Sequence, residues 1–457
     1  MPKISLCVIA RNEERFIRDC LRSANGSVDE MIVVDTGSTD RTREIAAAEG
    51  ARVVEFDWRD DFSAARNAAL TAATGSHMLI LDADERLADP RGALRRAAGN
   101  ERFTMGLLAL HDASTLDAQP EAVLAGRARL WDPTWIVRFF VAAPELRFTR
   151  RVHETVGADP VKLGEFLARR RSTIEKLDAA IVHFGEVPAL RAERSKRARN
   201  TQLLQRALSE DETDGDLAGY LAMELIRAGD AAAARALGER HLGPFLTALR
   251  RLPKTAPKPS PVQLASVLAT CLVQAGEYER ALTVVRESLQ CCIEPHPNLM
   301  FLEGAALERL ERYADAKRAF ESCLAAHGQA FTIPVNPGAT DRAPRLRLAN
   351  LALITGDPAG ALAHLDACAP WQGPFELPAL LLQAEALLQA GDATRAITAL
   401  APILSRTEAP PDLFALAARA AEQLGSPEPS LRAAAERCTP EQWLESRRKT
   451  LIGTTRS

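Results

Sequence analysis

The sequence predicts an α/β domain built on a mainly parallel mixed sheet, followed by an all-α array of helix pairs. Three observations carry this. Residues 1 to about 185 alternate short Val/Ile-rich runs with helical patterns, which implies right-handed βαβ units. From about residue 188 strand signals all but vanish. In their place a short turn recurs between apolar helical stretches, and five of its six occurrences carry glycine.

In the first half, strands are expected at 4–10, 31–34, 52–56 and 78–81, with helices at 13–24, 41–49 and 62–73. Ligands of such sheets bind outside the carboxyl ends of the strands. Asn12, Asp35, Asp82 and Asp84 all fall there. The densest point is Leu79-Ile80-Leu81-Asp82-Ala83-Asp84-Glu85, an apolar run ending in three acids. Like charges at the mouth of a buried strand are costly unless something positive offsets them. A divalent cation carrying a diphosphate is the natural candidate, since hard cations prefer oxygen ligands. In Asp35-Thr36-Gly37-Ser38-Thr39-Asp40, Thr39 or Asp40 is placed to cap the following helix. Asp35 could equally serve the turn alone or accept hydrogen bonds from a base or ribose.

In the second half the turns are Ala228-Gly229-Asp230, Ala275-Gly276-Glu277, Leu310-Glu311-Arg312, Thr355-Gly356-Asp357, Ala390-Gly391-Asp392 and Leu424-Gly425-Ser426. Glycine suits a position after a helix that needs positive φ. The small residues opening the next helices are 35 residues apart from Ala281 to Ala316 and again from Ala361 to Ala396, with 45 between Ala316 and Ala361. The longer step places an insertion at 329–345, and four prolines mark 252–261 as a loop. A period near ~34 resembles the tetratricopeptide repeat, with Tyr278, Tyr313 and Phe320 at matching aromatic positions. A generic helical bundle is the alternative.

Composition narrows the class. Hydrophobic residues make up 47% and charged ones 26%, the balance of a folded globular protein. A net charge of -3 gives no reason to expect nucleic acid. The eight cysteines form no Cys-x-x-Cys pair and read as thiols of a reducing compartment. No apolar run approaches the ~18 residues of a membrane span, and the expectation is a cytoplasmic protein.

Taken together, Cys7-Val8-Ile9-Ala10-Arg11-Asn12-Glu13-Glu14, Asp35 to Asp40, Asp60-Asp61-Phe62-Ser63-Ala64-Ala65-Arg66-Asn67 and Asp82-Ala83-Asp84-Glu85 resemble a family 2 glycosyltransferase in letters, order and spacing. Val152-His153-Glu154 and Ile181-Val182-His183-Phe184-Gly185 extend the likeness over about the first 200 residues. The architecture is similar to that of peptide S-glycosyltransferases of the sublancin type. The resemblance implies a GT-A fold, a nucleotide-sugar donor, by likeness a UDP-sugar, and inversion at the anomeric carbon. By the same likeness Asp84 and His183 would bind Mn²⁺ or Mg²⁺. Asp82 would contact ribose, or the metal through water. Asp35 would bind uracil or ribose, with Ala10 and Asn12 lining the pocket. Arg66 would reach the base or diphosphate, or else pair with Asp60 or Asp61. Glu154 is the candidate base, with His153 as its alternate or its orienter; a thiol acceptor would need less base help. A basic run, Arg191 to Arg199, could close over the diphosphate or form a solvated face.

The expected organisation is a catalytic domain at 1–187, a connecting helix at 188–210, repeats at 211–440 and a tail at 441–457. Solenoids offer extended surfaces for peptides and proteins, so a protein or peptide acceptor is the leading expectation, and a homodimer is open. The alternatives are a transferase of surface glycan or lipopolysaccharide synthesis, and a non-catalytic scaffold with a degenerate transferase domain.

Overall fold

The computed structural model describes residues 2–157, 159–193, 197–404 and 411–426. The expected tail and the end of the array beyond residue 426 lie outside the described residues, as do the side chains of 191–198 in the basic run.

The chain begins β1 (Ile4–Ala10), α1 (Ile17–Ser23), β2 (Glu30–Asp35), α2 (Thr42–Ala48), β3 (Arg52–Glu55), α3 (Phe62–Ala72), β4 (His77–Asp82), β5 (Glu85–Ala88) and α4 (Ala93–Ala98). It continues β6 (Met105–Asp112), α5 (Pro120–Leu124), β7 (Thr134–Val141), β8 (Phe148–Thr149), β9 (Thr155–Val156), α6 (Pro160–Arg169) and β10 (Ile174–His183). Eight strands form one sheet in the order β3-β2-β1-β4-β7-β6-β10-β5. The pairs β3/β2, β2/β1, β1/β4 and β6/β10 are parallel; β4/β7, β7/β6 and β10/β5 are antiparallel. The sheet is therefore mixed and mainly parallel, as expected. Its central strands are buried almost throughout, which is why they read as continuous apolar runs rather than as alternating ones.

Local chemistry sets the boundaries. Helix α1 starts four residues later than its pattern suggests. The Glu13 and Glu14 N–H groups are drawn off to Thr42 Oγ1 (2.8 Å) and Asp40 Oδ2 (3.1 Å), which pins the β1–α1 loop onto the start of α2. Asp40 also accepts from the Thr42 N–H (3.0 Å), but it stands one residue ahead of the N-cap, which is Arg41 and makes no side-chain cap bond, so neither Thr39 nor Asp40 holds the expected cap position. Asp61 caps α3 by accepting from the Ala64 N–H, so neither it nor Asp60, which takes the Trp58 indole N–H, pairs with Arg66.

The remaining helices are α7 (Pro188–Glu193), α8 (Arg197–Glu210), α9 (Gly215–Arg227), α10 (Ala231–Arg251), α11 (Val262–Gln274), α12 (Tyr278–Leu289), α13 (Pro297–Arg309) and α14 (Tyr313–Ala325). They are followed by α15 (Arg342–Ile354), α16 (Pro358–Asp366), α17 (Glu376–Gln389), α18 (Ala393–Leu404) and α19 (Pro411–Gln423). All six turn positions have positive φ: Gly229, Gly276, Gly356, Gly391 and Gly425, and also Glu311 at 59°. The aspartate after glycine has its own task. Asp230, Asp357 and Asp392 each accept the N–H three residues on, so Gly-Asp ends one helix and caps the next. Close packing follows within a pair: a Cβ on Gly304 of α13 would stand 2.6 Å from the Phe320 ring of α14.

The chain divides into two compact units, residues 1–271 with 287–294 and 329–334, and the remainder from 272 on. The first unit thus contains the sheet together with α7 to α10 and most of α11. Part of the expected insertion belongs to it too: Phe331 accepts the Trp135 N–H at 2.7 Å.

Candidate nucleotide and metal site

Sheet register builds the site. Ala10 lies opposite Asp35, and Ile9 opposite Asp82, so the ends of β2, β1 and β4 form one edge. Asp35 is 2% exposed and accepts the N–H groups of Gly37 (3.2 Å) and Ser38 (3.1 Å). Ser38 Oγ takes the Asn12 N–H at 3.0 Å, and Asn12 Oδ1 takes the Thr39 N–H at 2.8 Å. Asn12 itself sits at φ 56°, a conformation asparagine tolerates better than most residues. The two loops thereby interlock into one rigid wall.

Beside it lies a network of alternating charge. Asp82 Oδ1 receives Arg66 Nη2 at 2.7 Å and its Oδ2 receives Arg138 Nη2 at 3.0 Å. Arg138 also donates to Glu85 Oε1 (2.6 Å), while Glu85 Oε2 takes the Asp82 N–H (2.9 Å). Burial pushes Asp82 up, but the two guanidinium groups outweigh it and hold its carboxyl far below the usual range. For Glu85 burial dominates over Arg138, and its pKa is pushed up to about 7. Arg66 Nε donates to Glu154, so this arginine bridges the β4 end and the β8–β9 loop. Two of its nitrogens are spent on carboxylates, and Nη1 is buried with no hydrogen-bond partner.

Asp84 and His183 meet across strands. His183 ends β10, with Glu85 opposite on one side and Asp112 on the other. Its Nε2 lies 3.7 Å from Asp84 Oδ1, and its Nδ1 is 2.7 Å from Asp112 Oδ1. Asp112 Oδ2 in turn accepts the Trp131 indole N–H at 2.6 Å. Burial opposes charge on His183, but Asp112, Asp84 and Glu85 outweigh it and push its pKa up to about 10. A cation would displace that proton.

The pair fits a divalent ion. A Cβ on Gly185 would stand 2.4 Å from His183 Nε2 and 2.7 Å from Asp84 Oδ2, so glycine keeps the space between these atoms open. No cluster of three or more His, Cys, Asp or Glu that could hold a metal is found among the described residues. Mg²⁺-type sites commonly use one or two protein ligands and complete the sphere with water and phosphate.

Glu154 and His153 occupy the β8–β9 loop. Glu154 stands on Arg66; His153, at φ 51°, stacks on Tyr220 of α9 with ring centroids 3.6 Å apart. Crowding of the ring pushes its pKa below the ordinary histidine value.

The structure thus gathers Ala10, Asn12, Asp35, Arg66, Asp82, Asp84, Glu154 and His183 around the carboxyl edge of the sheet, and adds Arg138, Asp112 and Trp131. Two of these additions leave a trace in the sequence. Asp112 ends an apolar strand as Asp35 and Asp82 do, and Arg138 is a lone charge inside Trp135-Ile136-Val137-Arg138-Phe139-Phe140.

These features define a class, an α/β domain with acids at its strand ends suited to a nucleotide diphosphate. Residues 5–96 match the model of glycosyl transferase family 2. The chain is 34% identical over 235 residues to a TPR repeat-containing protein of Synechococcus elongatus, covering 51% of this chain and 55% of that one. It is 36% identical over 85 residues to the glycosyltransferase SunS of Bacillus subtilis, covering 18% and 20%. It therefore spans about half the length of the first relative and a fifth of the second. Among solved structures, glucosyl-3-phosphoglycerate synthase of Mycobacterium tuberculosis, in complex with Mn²⁺, UDP and glucosyl-3-phosphoglycerate, aligns at TM-score 0.28 and 22% identity, covering 45% of this chain and 80% of that one. The chain thus resembles family 2 glycosyltransferases over residues 5–96, with helix pairs of tetratricopeptide-like spacing after the sheet. No helix among the described residues is long and apolar enough to cross a membrane.

Proposed function

We propose that this chain transfers a sugar, with inversion, from a uridine diphosphate sugar to a protein or peptide side chain. The observation that carries the reading is the alignment of Ala10, Asp35 and Asp82 on one sheet edge, with the Asp84–His183 pair beside it. In this reading the interlocked Asn12 and Asp35 loops hold the nucleoside. Asp35 meets uracil or ribose with the acceptor capacity its own turn leaves free. Asp82, fixed by two arginines, faces the ribose. Asp84 and His183 hold Mn²⁺ or Mg²⁺, and Asp112 orients the imidazole as carboxylates do behind metal-bound histidines. The cation supplies charge neutralisation on the departing diphosphate.

Glu154 is the proposed base. Only one of its oxygens is engaged in a described hydrogen bond, and the other is assigned to the acceptor's proton. His153, stacked on Tyr220, is read as holding the loop. Arg66 becomes a positioning residue between donor wall and base rather than a direct ligand of the base or diphosphate. The division at residue 187, the repeats as the acceptor-selecting part and a cytoplasmic setting belong to the same proposal.

A panel of nucleotide sugars, screened with Mn²⁺ and Mg²⁺ for thermal stabilisation and slow hydrolysis, tests this reading. One donor is expected to stand out, and Asp84→Ala to reduce its metal-dependent hydrolysis to background. A panel in which no nucleotide sugar binds would sink the proposal.

A further inference from the structure

The loop carrying His153 and Glu154 is held in place by the helical part of the chain. Two of its residues, Arg150 (φ 71°) and His153 (φ 51°), lie in the left-handed region without being glycine. Such conformations are strained and persist only where the surroundings over-determine them. Helices α8 and α9 provide that determination. Arg150 Nη1 donates to Asp216 Oδ2 at 2.8 Å and its Nη2 to Asp214 Oδ1 at 2.9 Å. The partners are shielded, at 17% side-chain exposure for Arg150 and 12% and 13% for the aspartates. Arg151 Nε donates to Glu210 at 2.9 Å. The His153 ring lies on Tyr220, 10° from parallel.

The aspartates are themselves fixed. Asp214 caps α9 by accepting the N–H groups of Asp216 (3.1 Å) and Leu217 (3.0 Å). A Cβ on Gly215 would fall 2.2 Å from the Phe245 ring of α10, so the start of α9 is locked against its neighbour. On the other side the loop touches the transferase machinery directly. Arg151 O accepts the Phe62 N–H at the start of α3, and Glu154 meets Arg66 of the same helix. The loop is thus a bridge with one footing on α3 and the other on α9.

We infer that α9 is part of the transfer machinery, and that Asp214, Asp216 and Tyr220 are positioning residues that hold the Arg150–Glu154 loop so that Glu154 stands at its place on Arg66. This rests on the transferase reading above and goes beyond it. The helical half would then serve the chemical step itself, and not only the choice of acceptor. An acceptor seated against α9 would bear on the same loop.

The test uses the full chain with UDP-sugar hydrolysis as the reaction, so that no acceptor need be known. Tyr220→Ala is expected to lower kcat on the order of 10²-fold, the scale of an ångström-sized misplacement of a reacting group. KM for the donor and Mn²⁺–UDP thermal stabilisation should stay within about twofold. Tyr220→Phe, which keeps the stacking face, should restore the rate. Hydrogen exchange should show faster exchange at 148–157 in Tyr220→Ala with β1 and β4 still protected. Unchanged kcat in Tyr220→Ala, or a loss that Phe does not rescue, overturns the inference and leaves the transferase reading standing. A wild-type chain that binds and hydrolyses no nucleotide sugar overturns both.

Discussion

Two buried charge networks in this molecule look alike in outline and differ in what surrounds them. In the sheet unit, Arg66, Asp82, Arg138 and Glu85 form a chain of alternating charge at the ends of the strands. In the helical unit, Glu308 of α13 meets Arg347 (3.0 Å) and Asn350 (2.7 Å) of α15, with Glu308 and Arg347 each 1% exposed. The helical cluster is sealed, although Nε and Nη2 of Arg347 have no hydrogen-bond partner. It packs over the Phe301 ring, 5.8 Å from the centroid. The sheet network leads outward instead, through Glu154 to the loop and past Asp84 to the glycine-lined gap. Buried charge alone therefore does not mark a site. What marks it is burial beside an edge where a ligand can complete the network.

The comparison breaks or sharpens under substitution. The largest effect is expected at Glu154→Gln, which keeps the shape and removes the base. Transfer to a hydroxyl acceptor should fall by roughly 10²- to 10⁴-fold while donor-induced thermal stabilisation survives. Unchanged turnover would remove Glu154 from the role. Asp112→Asn comes next. It loosens His183 without touching the cation, and Mn²⁺ affinity measured calorimetrically with UDP present should drop ~10- to 100-fold. An unaltered isotherm would mean that Asp112 merely fills space. Smallest at the site, yet large for the fold, is Arg347→Met. It strands Glu308, and breaking a buried pair costs about 3–5 kcal/mol. Denaturant midpoints should fall while donor affinity stays level, and adding Glu308→Leu should recover most of the loss. Weakened donor binding in the well-folded double variant would show that the sealed network is not merely structural.

Much of the first unit was legible because parallel strands announce their ends. Asp35, Asp82 and His183 each close an apolar run, and the register then places them together. The Gly-Asp turns were legible for the same kind of local reason, one residue taking positive φ and the next capping. Partners that arrive from distant strands were not. Arg66 looked free to choose Asp60 or Asp61, nearby in sequence, but both are occupied locally, and it pairs with Asp82 and with Glu154, 88 residues away. Arg138 and Asp112 carried the right signal and lacked only a neighbour to explain it. The docking of Arg150 and His153 onto α9 has no signature in either segment, since stacking and bidentate pairing depend on geometry that spacing does not encode.

The contact between Trp135 and Phe331 bears on how the chain comes into being. A ribosome delivers the N-terminus first, and domains generally fold as they emerge. Here β7 acquires the hydrogen bond at Trp135 only after residue 331 of 457 has left the tunnel. The eight strands can pair once His183 has emerged, but the bond on Trp135 must wait for residue 331, and a cut placed between them removes it.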